Sequence, residues 1–156
     1  MAFANSNDYI TGRAPVPYPA GAENVTVRFP IAFGTADLAL NTIGQFGWLP
    51  AGCVPVEVRV IADDIDSSTA AFVLQVGIWD GSGASLSTAA ADGGGAWGDT
   101  GSAVNIAFDK ALTRTLTNMA AVTKADTDRR LGGKVTTAPT TAVAGNITLE
   151  LTYRAA

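Results

Sequence analysis

Three carboxylates crowd into the stretch VIADDIDSSTAAF, residues 60 to 72. Asp63, Asp64 and Asp66 are followed at once by the oxygen-bearing Ser67, Ser68 and Thr69. A calcium loop of the EF type needs oxygens at alternate positions, a glycine at the sixth for the sharp turn and a bidentate Glu at the twelfth. Asp64, Asp66 and Ser68 supply the alternation, but Thr69 holds the sixth position and Gln75 the twelfth, so that motif fails. A calcium site of another kind, as in some sandwich lectins, draws on the same oxygen-only ligation and stays open. Paired carboxylates also hydrolyse glycosides, and Trp48, Trp79 and Trp97 are available as sugar platforms. Adjacent aspartates on one loop, however, do not flank a substrate from opposite sides, and no catalytic pair can be picked out. The plain alternative is a turn. Asp and Ser side chains bond to nearby backbone groups, so DDIDSST would return one strand into the next as a hairpin, with Ile65 plugging the end of a β-sandwich.

The rest of the inventory narrows the chemistry further. Histidine is absent, which removes Ser-His-Asp and Cys-His catalysis and every His-ligated metal site. Cys53 is the only cysteine, so neither an intramolecular disulfide nor a cysteine zinc site can form. Its apolar setting, LPAGCVPV, reads as that of a small buried hydrophobe. No residue is assigned a catalytic, cofactor-binding or metal-binding role, and no cofactor is expected.

Those residues must be positioned by a chain of 156 residues, enough for one domain with a core of its own. Hydrophobic residues make up 47% and charged residues only 15%, well under the usual quarter. The surface is therefore built largely of Thr, Ser, Ala, Gly and Asn, and loses water cheaply against a partner. A net charge of −4 argues against a nucleic-acid binder, which needs a basic footprint. Between Arg59 and Lys110 there is no basic residue, while Asp63, Asp64, Asp66, Asp80, Asp92, Asp99 and Asp109 all fall there. That split reads either as an acidic face or as solvated loop carboxylates. No run approaches the ~20 apolar residues of a membrane span. The start, MAFANSNDYITGR, has neither a basic nor an apolar segment of a secretory signal, so synthesis in a cytosol is expected. The sequons at Asn24 and Asn146 fall in predicted strands and read as coincidence.

Residues 1–23 read as an extended arm. Pro15, Pro17 and Pro19 at every second position enforce an open backbone and bar a central strand. From residue 24 the pattern changes to period two. Val25, Val27 and Phe29 alternate with polar residues, as do Val54, Val56, Val58 and Val60, then Phe72, Leu74, Val76 and Ile78, then Ile147, Leu149, Leu151 and Tyr153. Such alternation, rich in β-branched residues, predicts half-buried antiparallel strands. ADLALNTIGQFGWL reads as a strand broken or bulged at Gly44 and Gly47, and RRLGGKVTTA as a strand from about Leu131. Between Phe108 and Met119 the residues Phe108, Leu112, Leu116 and Met119 fit a helix face, but the threonines of LTRTLTN favour a strand. Residues 80–103 form one long Gly, Ser and Ala loop, in which Trp97 either folds back on the domain or docks on a partner. The whole, residues 24–156, is expected to be an all-β antiparallel sandwich or jelly roll behind an N-terminal arm.

Three segments together, GWLPAGCVPVEVRVIADDIDSS, TDRRLGGKVTTAPTTAVAGNITLELTYRAA and the Tyr-Pro arm, resemble the small head decoration (cement) proteins of tailed bacteriophages. The resemblance covers mainly residues 46–80 and 127–156 and is weakest over 81–126. It implies a β-sandwich or jelly-roll subunit on the exterior of an icosahedral capsid. It further implies contact with the major capsid protein and with other copies as a homodimer or homotrimer at symmetry axes, without catalysis or cofactor. On this reading the arm grips the shell or a neighbouring subunit, and the candidate partner-binding residues are Tyr9, Pro15, Pro17, Tyr18 and Pro19, with Trp97 in the loop. The main rival is a carbohydrate-binding sandwich module with exposed tryptophans. Another virion component, such as a tail or fibre protein, is a third reading. Fold alone does not separate them.

Overall fold

The structure, a computed structural model, describes residues 2–68, 72–83, 85–101, 107–114 and 116–156. Among the described residues, nine strands are laid down in order: β1 Asn24–Phe33, β2 Ile43–Leu49, β3 Cys53–Ala62, β4 Val73–Ile78, β5 Gly98–Asp99, β6 Phe108–Ala111, β7 Thr113–Arg114, β8 Arg129–Thr137 and β9 Gly145–Ala155. Among the same residues, helix is confined to α1, Leu116–Ala120, and two short 3-10 turns, Thr35–Leu38 and Ala90–Asp92. The strands form two antiparallel sheets, β1-β9-β3-β6 and β2-β8-β4-β5-β7, and the apolar faces of both meet in one core, making a β-sandwich.

The period-two runs become the strands that line this core. Val27, Phe29 and Ile31 of β1 and Ile147, Leu149, Leu151 and Tyr153 of β9 are all buried. In β3 the expected face is only half right. Val58 and Val60 point inward, but the register shifts between Pro55 and Glu57. The extra residue, Val56, changes the phase, so Cys53 and Pro55 face the core while Val54 and Val56 are only partly covered. A second irregularity, between Gln45 and Gly47, is the bulge expected in β2. The uncertain segment divides: β6 and β7 are strands, as expected, and α1 follows. The side chains of Phe108 and Leu116 in the helix-face reading lie outside the described residues, as do Thr69 and positions 84, 102 and 103 of the long loop.

Two connections differ from the sequence reading. The segment after β3 is no hairpin, because β3 and β4 belong to different sheets; it carries the chain across one end of the sandwich. Ile65 does plug that end, at 1% exposure. The glycine-rich stretch is not loop throughout, since β5 pairs with β4 at Gln75↔Asp99 and Val76↔Gly98.

The N-terminal segment is held by the domain itself. It lies along the seam where edge strand β1 of one sheet meets edge strand β2 of the other. The Phe3 ring packs between Phe33 and Phe46, with centroids at 4.6 and 5.5 Å, and Tyr9 stands edge-on to Phe29 at 5.0 Å. Asn5 and Asn7 stitch the seam through their side-chain amides, which donate to the carbonyls of Ala32 in β1 and Phe46 in β2. A sandwich leaves its edge seams open to water, and here apolar and amide groups of the arm close one of them.

Candidate partner-binding surface

The aspartate cluster is fully used within the fold. Asp66 is 1% exposed and bridges to Ala142. Its carboxylate accepts from the backbone N–H of Thr140 and Thr141 and from both the N–H and hydroxyl of Ser68. Burial alone would raise its pKa, but the N–H of Thr141, the Ser68 hydroxyl and the N–H groups of Thr140 and Ser68 outweigh it and hold the pKa at about 2. Asp63 accepts from the backbone and side chain of Asn146, and Asp64 from the N–H of Asp66. Asp66 clasps the β3–β4 crossover to the β8–β9 connection and Asp63 ties it to the start of β9, while Asp64 bonds within the crossover. Among the described residues no group of three or more His, Cys, Asp and Glu is placed to hold a metal ion.

Of the other acidic residues of the interval, Asp80 and Asp99 accept from the backbone N–H groups of Ser82 and Gly101, and two find basic residues from the flanks. Asp109 pairs with Arg59 at 2.8 Å and Asp92 with Arg129 at 3.3 Å. Arg129 also donates to the carbonyls of Cys53 and Ala91, tying β3, the glycine-rich segment and β8 together. The run of aspartates is thus divided among separate pairs and turns.

The six candidate partner residues are distributed unevenly. Tyr9, Pro15 and Tyr18 converge on one open groove of about 400 Å³, where Trp48, Pro50 and Asp128 join them. Tyr18 is 61% exposed, the largest apolar exposure among the described side chains. Pro17 is exposed, but its carbonyl accepts the hydroxyl of Tyr153, anchoring the arm to the sandwich. Burial, with Cys53 and Tyr9 nearby, pushes that phenol's pKa up, so it remains a donor. Pro19 is buried. Trp97 does not belong to the surface: it is 1% exposed, and its indole N–H donates to the Asp92 carbonyl at 2.8 Å. Of its two readings, folding back on the domain is the one found. Burial, followed by the nearby Asp128, pushes the Cys53 thiol up against the opposing effects of Tyr18 and Arg129, which suits an inert packing residue.

Pattern reading missed Trp48, Arg130 and Trp79 as members of this surface. Trp48 lies opposite Arg130 in the β2–β8 ladder, with the guanidinium 5.9 Å from the ring centroid. On the far side of Arg130, the backbone N–H of Trp79 donates to the Arg130 carbonyl. Trp48, Trp79, Asp80 and Arg130 border a second groove of about 390 Å³, which shares Trp48 and Asp128 with the first. The available signal was a tryptophan in the outward phase of a strand next to an arginine on the strand paired with it. Pairing is a tertiary fact, however, and one sequence does not display it. Tyr, Trp and Arg are the residues that dominate binding energy at protein interfaces.

No protein-family model and no curated protein matches the chain. Among solved structures it is similar to a chain of one described as "Capsid of Ralstonia phage GP4", with a TM-score of 0.73 and 27% identity over 97% of each chain. It is also similar to a chain of "Cyanophage Pam1 capsid asymmetric unit", with a TM-score of 0.51 and 18% identity over 90% of each, which speaks for the fold alone. The chain is a β-sandwich similar over almost its whole length to a chain of a solved phage capsid.

Proposed function

We propose that the protein is a non-enzymatic virion component that binds the outer surface of an icosahedral phage shell and stabilises it, as a decoration or cement protein. It would be made in the host cytoplasm and contact the major capsid protein and further copies of itself. The observation that carries this reading is the likeness to the GP4 capsid chain, which runs through almost the whole length of both chains. The strand order supports it: β1, β2, β3 and β4 alternate between the two sheets, the wiring expected of a jelly roll, an architecture used by viral capsid domains. A surface low in charge, with an aromatic groove beside the arm, would dock at modest cost in desolvation. Many symmetric copies would then stabilise a shell through individually modest contacts. Electron cryomicroscopy of particles assembled with and without the protein tests this. Density on the outer surface that is present only with the protein is expected; particles identical in both preparations would refute the role.

The pair Trp48 and Trp79 on one groove favours a second reading, a carbohydrate-binding module. Saccharide-dependent quenching of tryptophan fluorescence, abolished in Trp79→Ala, would favour it over shell binding.

A further inference from the structure

Among the described residues strand β1 is an edge, paired only with β9, and its register runs unbroken from Asn24↔Arg154 to Phe33↔Gly145. In an antiparallel ladder alternate residues turn their N–H and C=O toward the partner strand and the others turn them away. Two observations fix the parity. Pro30 has no N–H to give β9, and the Ala32 carbonyl is taken on the other side by the Asn5 amide at 2.6 Å. The even-numbered residues therefore face away from β9. Among the described residues, the N–H groups of Thr26 and Arg28 meet no acceptor. The strand begins at Asn24, and beyond Arg28 the edge is closed by Pro30 and the arm. The open window is thus 24–28, centred on Thr26.

We propose that this window is a self-association surface, on which the β1 strands of two copies pair antiparallel about a twofold axis at Thr26. Identical windows match in length, and this register sets Thr26 against Thr26 and Asn24 against Arg28 of the second copy. A register centred on Arg28 would oppose two guanidinium groups and is disfavoured. The flanking side chains are already fixed on the outer face. The Thr26 hydroxyl shares a hydrogen bond with Thr152 at 2.8 Å, and Arg28 lies on Glu150 at 2.6 Å, so little ordering remains for association. A longer foreign strand would run into Pro30 and the arm, which favours a second copy as the occupant. The proposal rests on the self-contact named in the proposed function and deepens it by naming the surface and register; because its test uses the protein alone in solution, its failure would leave shell binding itself untouched.

Sedimentation equilibrium of the full chain tests it. Wild type should dimerise reversibly. Thr26→Pro removes an N–H that the β1–β9 ladder does not use and the exposed hydroxyl contact with Thr152, so the variant should stay folded with a thermal midpoint no lower than that of Thr26→Val, which loses the same hydroxyl, and dimerise roughly tenfold or more weakly than Thr26→Val. Amide exchange gives a second measurement that needs no variant: the Thr26 and Arg28 amides should exchange rapidly in dilute protein and slowly in concentrated protein. A wild type that is monomeric at every concentration, a Thr26→Pro dimer as tight as that of Thr26→Val, or exchange at these amides that ignores concentration would each overturn the proposal.

Discussion

The ring of Phe3 lies on the bare backbone of Gly44. A Cβ built on that glycine would come within 2.4 Å of the ring and 2.9 Å of the Phe3 nitrogen. The glycine is thus a seat for the arm, and the arm in turn shields Phe33 and Phe46. Gly44→Ala should lift the arm and cost about 1–3 kcal/mol as overpacking. The readouts are a lower urea midpoint and faster proteolytic cleavage before residue 13. Phe3→Ala should cost about 2 kcal/mol, less than a fully buried phenylalanine, because the ring is only partly covered. Combined, the two should lose less than the sum of the single changes, since both act on one contact. Strictly additive losses would show that the two residues act separately.

The aspartate clasp makes acid sensitivity predictable. The folded-state pKa of Asp66 is held at about 2, against 3.8 for an ordinary aspartate. Its contribution to stability is therefore fully present above about pH 4 and is lost as pH falls toward 2, amounting to up to about 2 kcal/mol. Asp66→Asn should be less stable than wild type at pH 5, and the gap should close as pH falls through that window. Thermal midpoints of both proteins across pH 2–5 supply the check. A gap that stays constant would show that the charge of Asp66 contributes nothing.

Trp97 anchors the glycine-rich segment to the core. Removing a buried tryptophan leaves a large cavity and frees the Asp92 carbonyl, so Trp97→Ala should cost about 3–5 kcal/mol. Trp97→Phe should cost less, because it keeps much of the packing and loses mainly the hydrogen bond. Chemical denaturation of the three proteins decides this, and a Trp97→Ala loss under 1 kcal/mol would contradict the burial.

What the sequence displays is what alternation encodes. Ile147, Leu149, Leu151 and Tyr153 could be assigned inward because β9 pairs on both sides without a break on its own strand. Val54 and Val56 were misplaced because one extra residue in β3 reverses the phase, and a bulge leaves no mark in a run of valines. DDIDSST carried turn chemistry whether the next strand lay in the same sheet or the opposite one, so hairpin and crossover look alike. The prolines pointed to an open backbone over residues 15–19, but the turns that fold residues 8–14 on themselves and the seat on Gly44, Phe29 and Phe46 depend on contacts that one sequence does not display. The surface was legible in part for the same reason. Tyr9, Pro15 and Tyr18 are neighbours along the chain, whereas Trp48 and Arg130 become neighbours only through β2–β8 pairing.

If the aromatic groove is the docking surface of the proposed shell protein, its energy should be concentrated in Tyr18 and Trp48. Tyr18 is 61% exposed, so Tyr18→Ala removes little from the fold. Trp48 faces outward from β2, and Trp48→Ala should cost under about 1 kcal/mol of stability, mostly its contact with Arg130. On a partner each should matter far more, because a fully desolvated aromatic anchor contributes about 2 kcal/mol or more, roughly a thirtyfold change in affinity. Titration of purified shells lacking the protein measures this directly: Tyr18→Ala should keep the wild-type thermal midpoint, Trp48→Ala should fall at most a few degrees below it, and both should occupy the shell only at substantially higher concentrations. Trp97→Phe serves as the contrast, since a side chain inside the core should alter stability without altering shell affinity. Wild-type occupancy by both groove variants would move the docking surface to another face of the sandwich.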